Sequence, residues 1–257
     1  MKLPASLREE LQYLLDLGFE EVYRRPAAAL RAGEPAGHGA PPPRQAPAAT
    51  GTAAPEPPSS GALTASPAER VARLSELAAQ VADCRLCGLC AGRNQTVFGS
   101  GDPDARLMFI GEGPGAEEDK RGLPFVGRAG ELLTKIIRAI DLGREQVYIA
   151  NIVKCRPPGN REPQPDEVAA CRAYLAEQID LVHPEVLVAL GRVAAQSLLG
   201  TDTPIGKMRG QWYTVRGIAT MVTYHPAALL RNPALKRPTW EDMQAVRERL
   251  GAGRPLP

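Results

Sequence analysis

From Arg106 onward the apolar positions change period at regular intervals. RLMFIG is a short unbroken apolar run followed by a glycine-rich loop. AGELLTKIIRAIDLG then spaces its apolar residues at three and four and ends in glycine. VYIANIV is a second strand run, DEVAACRAYLAEQIDLV a helix opened by Pro165, EVLVALG a third strand and RVAAQSLLG a short helix. QWYTV and IATMVTYH flank Arg216-Gly217, a dipeptide suited to a hairpin turn, and PTWEDMQAVRERL closes as a helix. Apolar strands alternating with helices predict an α/β fold, a mostly parallel sheet covered on both faces. Ligands of such sheets bind at the carboxyl ends of the strands. Three segments follow a strand directly: GEGPGAEEDK, NIVKCRPPGNREP and YHPAALLRNP.

The first quarter of the chain has a different texture. Ser6-Leu-Arg-Glu9 is a capping box, and Leu7, Leu11, Leu14 and Leu15 then share one face, predicting a helical extension over 1–25. Residues 26–65 are dominated by Ala, Pro and Gly and cannot bury enough apolar surface to offset chain entropy; they are expected to form a disordered linker. A second capping box, Ser66-Pro-Ala-Glu69, has proline at the first helical position and starts a helix carrying Val71, Leu74, Leu77 and Val81. The folded domain is expected to span 66–257.

Charge adds one local feature. The formal net charge is only +2, yet residues 201–240 hold Lys207, Arg209, Arg216, Arg231, Lys236 and Arg237 against Asp202 alone. Such a surface is either a solvated face or a phosphate-binding footprint. No apolar run approaches the roughly 18 residues that span a bilayer, and the N-terminus lacks a secretory core, so no membrane partner and a cytoplasmic setting are expected.

The loops after the strands carry the candidate chemistry. In GEGPG (Gly111 to Gly115) glycines and a proline make a stiff turn that lets a ligand approach the backbone, without phosphate-loop spacing. Phe125, in LPFVGRAG, is either core or a stacking platform for a planar ring. Asn151 interrupts an apolar strand; its amide either bonds loop backbone or reads a ring edge presenting N–H beside C=O. His225 stands at a strand end, and the following Leu229, Leu230 and Arg231 form either a wedge into a base stack or the core face of a short helix. Five cysteines in a reducing compartment point to metal binding or free thiols. Cys84 and Cys87 form C-x-x-C, while Cys155 follows a strand and Cys171 lies on the next helix; four thiolates suit zinc or an iron–sulfur cluster.

Taken in order, CxxC, VFGSGDPDARLMFIGEGPGAEEDKRGLPFVGRAGELL, YIANIVKCRPPGNREPQPDE, a further cysteine and YHPAALLRNP resemble the family-four uracil-DNA glycosylases of bacteria and archaea, from about Cys84 to Leu250. The resemblance implies a three-layer α/β/α fold with a central, mostly parallel four-stranded sheet. It also implies a monomer that excises uracil from DNA. It implies a [4Fe-4S] cluster on Cys84, Cys87, Cys155 and Cys171, with Cys90 left as a partly buried free thiol. By the same resemblance Glu112, Gly113 and Pro114 form the uracil pocket, Phe125 stacks on the base, Asn151 reads its edge and His225 contacts O2. The residue that handles water is Glu112 or Glu118, and Leu229, Leu230 and Arg231 meet the DNA. The rival reading is a non-catalytic damage-binding module of the same fold. No partner for the N-terminal helix is implied.

Overall fold

The computed structural model of the protein describes residues 66–253; the expected N-terminal helix (1–25) and linker (26–65) lie outside the described residues. Helix α1 (Pro67–Ala82) opens on the predicted capping box. The Glu69 N–H donates to Ser66 Oγ at 3.3 Å, and the Ser66 N–H donates to Glu69 Oε2 at 2.7 Å. Leu74, Leu77 and Val81 are buried as the helical spacing predicts, but Val71 is 43% exposed and does not belong to the buried stripe.

Six strands form one mixed sheet in the order β1-β3-β2-β4-β6-β5. The core is β2 (Leu107–Gly111), β3 (Tyr148–Asn151), β4 (Val186–Leu190) and β6 (Ile218–Thr223), paired in parallel. Two antiparallel edges, β1 (Ser100–Gly101) and β5 (Trp212–Val215), extend it beyond the four strands the resemblance implied. β1 is two small residues with no apolar period, so backbone pairing alone defines it. The hairpin at Arg216-Gly217 forms as expected, with both residues at positive φ, 52° and 82°.

Side-chain alternation divides the core. Met108, Ile110, Ala150, Leu187, Ala189 and Val222 share a cluster with α1, with α4 (Pro165–Val182) and with α5 (Arg192–Leu199). Phe109, Ile149, Val188 and Met221 alternate to the opposite face. The buried stripe of α3 (Arg128–Ala139) and Met243, Val246 and Leu250 of α8 (Lys236–Gly253) are absent from that cluster. The sheet is thus covered on both sides. The chain leaves β2 toward β3 on one side and later returns to β4 on the other. A crevice therefore opens at the carboxyl ends of β2 and β4, where connections diverge.

Two arginines of the basic segment are structural. Arg209 donates to the buried Asp242 on α8, which also accepts from Thr223 Oγ1 at 2.6 Å. Arg216 pairs with Asp180 on α4, with both side chains largely covered. Asp242→Ala would leave Arg209 and Thr223 without their acceptor. It is expected to lower unfolding free energy by about 3 kcal/mol, measured by urea denaturation, whereas Arg237→Ala on the exposed surface is expected to change it by less than about 0.5 kcal/mol.

Candidate active site and cysteine cavity

The crevice is a cleft of about 580 Å³, within the usual ~300–1,000 Å³ for small-molecule sites. Glu112, Gly113, Pro114, Glu118, Phe125, Asn151, His225 and Arg231 all line it. Glu112, Gly113 and Pro114 follow β2, Glu118 lies on α2 (Ala116–Arg121), Phe125 stands between α2 and α3, Asn151 ends β3, and His225 and Arg231 follow β6.

Phe125 is buried and holds φ 52°, left-handed backbone that a phenylalanine adopts at a cost of about 1–2 kcal/mol. The next two peptides offset it. Val126 and Gly127 N–H donate to Glu118 Oε1 at 2.9 and 3.0 Å, and a hydrogen bond to a charged group contributes about 1.5–3 kcal/mol. Glu118 therefore clamps the loop that aims the Phe125 ring. That ring lies 5.5 Å from the His225 ring, centroid to centroid, tilted by 32°.

His225 caps α7 (Pro226–Arg231): its Nδ1 accepts from the Ala227 N–H at 3.1 Å. Nδ1 is thereby an acceptor, so the neutral ring carries its proton on Nε2. Burial and the nearby Arg231 charge push the imidazole down to about 4, against an opposing pull from Glu118. Near neutral pH the ring is thus an uncharged Nε2–H donor. Gly191 makes room for it, since a Cβ there would lie 2.8 Å from His225 Cβ.

Asn151 ends β3 almost wholly buried. Its Oδ1 is the only buried side-chain oxygen or nitrogen without a hydrogen-bond partner among the described residues. A Cβ on Gly111 would come within 2.5 Å of that oxygen and 2.6 Å of Phe125 Cζ. Amide and ring edge therefore meet over bare backbone, and only glycine fits beneath them.

Glu112 projects into the cleft with no side-chain hydrogen bond among the described residues. Burial and Glu162 raise its pKa, while Arg192 acts to lower it. Arg192 itself pairs with Glu162 across the cleft wall. On α7, Leu229 is 2% exposed and belongs to the interior, whereas Leu230 is 41% exposed. Of the two leucines expected to meet DNA, only Leu230 reaches solvent.

All five cysteines line a second cavity, walled also by Arg93 and Tyr174. Of their sulfurs, that of Cys155 accepts from Arg93 Nη1 at 3.2 Å. Cys155 and Cys171 are buried, and Cys84, Cys87 and Cys90 are half-buried. Burial pushes the Cys155 thiol up to about 11 and also raises Cys87 and Cys171. Neighbouring thiols with raised pKa become thiolates together only when a positive core takes their protons' place. The Arg93 donor aimed at Cys155 then suits a ligand of such a core.

Several of these residues carried no sequence signal. Gly191 matters through a steric clash visible only in three dimensions. Arg93 meets Cys155 across 62 positions. Lys154 did leave a trace, a cation inside the run NIVKC. It is 1% exposed, and burial pushes its ammonium down to about 7, with Cys171 opposing.

Fold and cleft together define an α/β protein with a lined crevice at the carboxyl ends of its sheet. The uracil DNA glycosylase superfamily model matches residues 98–244. A type-4 uracil-DNA glycosylase of Sulfurisphaera tokodaii is 46% identical over 184 residues, covering 68% of this chain and 84% of that protein. One of Thermotoga maritima is 46% identical over 174 residues, covering 65% and 90%. A type-5 uracil-DNA glycosylase of Thermus thermophilus is 37% identical over 149 residues, covering 45% and 67%. The chain belongs to the uracil DNA glycosylase superfamily, on its type-4 branch.

The electrostatics of His225 can be read directly by NMR. Its imidazole is expected to titrate with a midpoint of about 4, below the ordinary 6.5. Arg231→Ala should raise the midpoint by removing a positive neighbour, and Glu118→Gln should lower it further by removing a negative one.

Proposed function

We propose that this protein is a uracil-DNA glycosylase: it receives uracil flipped from DNA and hydrolyses the N-glycosidic bond, leaving an abasic site. The observation that carries the reading is the unpartnered Asn151 Oδ1 beside Phe125 and His225. The N3–H of uracil satisfies that oxygen, and the amide nitrogen donates to O4. Cytosine presents a lone pair at N3 and leaves the acceptor buried and unpaired, the arrangement that gives a site strong discrimination. Phe125 stacks on the ring.

Flipping costs a few kcal/mol of unstacking. Leu230 enters the vacated stack, and Arg231 with the rest of the basic surface meets the phosphates. As the bond to C1′ breaks, its electrons pass to the uracil ring and negative charge grows on O2. The neutral His225 Nε2–H donates there, a preorganised donor of the kind worth about 10²–10³ in rate. Glu112, whose carboxyl is raised and unengaged by hydrogen bonds, accepts a proton from the water that attacks C1′. Glu118 Oε1 is occupied by two loop N–H donors, which favours Glu112 over Glu118 for that role.

Cys84, Cys87, Cys155 and Cys171 would hold a [4Fe-4S] cluster, the fit resting on the cysteines gathered around one cavity and on the Arg93 donor at Cys155. When bound it supplies a structural clip between α1, the β3 loop and α4; hydrolysis needs no electron from it. The enzyme acts as a cytoplasmic monomer on uracil-containing DNA.

Uracil release from a uracil-containing oligonucleotide tests the activity. Asn151→Ala and His225→Ala are expected to lower kcat by about 100-fold or more with folding retained; release by neither the intact nor the cluster-loaded protein would end the reading. For the cysteines, anaerobically purified protein is expected to absorb broadly near about 400 nm. Cys87→Ser should lose that band and Cys90→Ser should keep it; a colourless zinc protein would contradict the cluster.

A further inference from the structure

The base pocket and the cysteine cavity are four positions apart in the chain, Asn151 to Cys155, and one side chain spans the interval. Lys154 Nζ donates to the Asn151 carbonyl oxygen at 2.9 Å and to Gln178 Oε1. Gln178 in turn is held by two donations from Nε2, to the Phe98 carbonyl at 3.0 Å and to Tyr148 Oη at 3.3 Å. Gln178 belongs to α4, the helix that carries Cys171. The main chain of Lys154 is fixed as well: its carbonyl accepts from the Val97 N–H at 2.7 Å. In either protonation state Nζ keeps at least two hydrogens, enough for both acceptors. Neither Lys154 nor Gln178 lines the cleft, and the chemistry described above does not use Lys154.

We propose that Lys154 is a positioning residue for base reading. Its nitrogen holds the main chain of Asn151 at the end of β3, so that the side-chain amide meets the uracil edge in register with Phe125 and His225. The same residue ties that position to the cysteine-bearing helix through Gln178. The cavity behind the sheet thereby sets where the base-reading amide stands. The inference rests on the uracil reading above. It predicts a loss in the bound complex, since a displacement of about 1 Å at a reacting geometry costs on the order of 100-fold.

The test compares the unaltered protein with Lys154→Met, which keeps the length of the side chain and removes its donors. The readouts are kcat and KM on uracil-containing DNA, inhibition by free uracil, absorbance near about 400 nm per protein, and melting temperature. Lys154→Met is expected to retain the absorbance, to keep KM within about threefold, and to lower kcat by about 10- to 100-fold, with free-uracil inhibition weakened in step. Unchanged kcat and uracil inhibition in folded Lys154→Met would overturn the proposal, as would a loss that disappears when activity is scaled to absorbance. If Lys154→Met does not fold, Gln178→Met withdraws the second anchor: a lower kcat at full absorbance supports the proposal and an unchanged kcat overturns it. An unaltered protein that releases no uracil overturns the functional reading and this one together, whereas release by it and by Lys154→Met alike removes only the role of Lys154.

Discussion

A buried carbonyl oxygen without a partner, Asn151 Oδ1, is the constraint around which this molecule is arranged. Leaving such an acceptor empty costs about 1–3 kcal/mol, and the fold bears that cost in a defined place. Asn151 stands at the end of a central parallel strand, where its neighbours cannot shift to relieve it. Gly111 on the adjacent strand leaves no side chain beneath the amide, and Phe125 closes over the same point in a left-handed conformation. The oxygen has no partner among the described residues, and the N3–H of the proposed uracil would supply one.

The surrounding charges make sense in the same frame. His225 accepts from its own helix through Nδ1 and so presents Nε2–H; Arg231 and burial keep it uncharged. A neutral donor stabilises charge as it develops without attracting an anion beforehand. The two carboxylates of the first loop separate by environment. Glu118 is engaged by backbone amides and shapes the pocket, while Glu112 stands in the cleft with a raised pKa. Sequence left the choice between them open because both lie in one short acidic loop; hydrogen bonding separates them.

Much of this organisation was readable from the chain. Apolar runs alternating with helical spacing predicted the parallel core, and the residues placed after its strands, Glu112 to Pro114, Asn151 and His225, do converge on one cleft. Other parts were not readable. Strand β1 has no apolar period and left no trace, whereas β5 was legible as QWYTV; with both edges the described residues form a six-stranded mixed sheet in place of the four strands the resemblance implied. Leu229 and Leu230 are adjacent and chemically alike, and only packing against α3 decides that the first is interior. Arg209 and Arg216 counted toward a basic surface, yet their partners, Asp242 and Asp180, are 33 and 36 positions away. Charge counted along a sequence cannot register an ion pair formed through folding.

The central claim is that Asn151 Oδ1 receives the N–H of the uracil ring. Its most direct measurement is inhibition of uracil release by free uracil compared with 3-methyluracil, which has the same ring and carbonyls but no N3–H. Uracil is expected to inhibit and 3-methyluracil to be weaker by about 100-fold or more, because the methyl group both removes the donor and collides with the oxygen. Equal inhibition by the two would contradict the account.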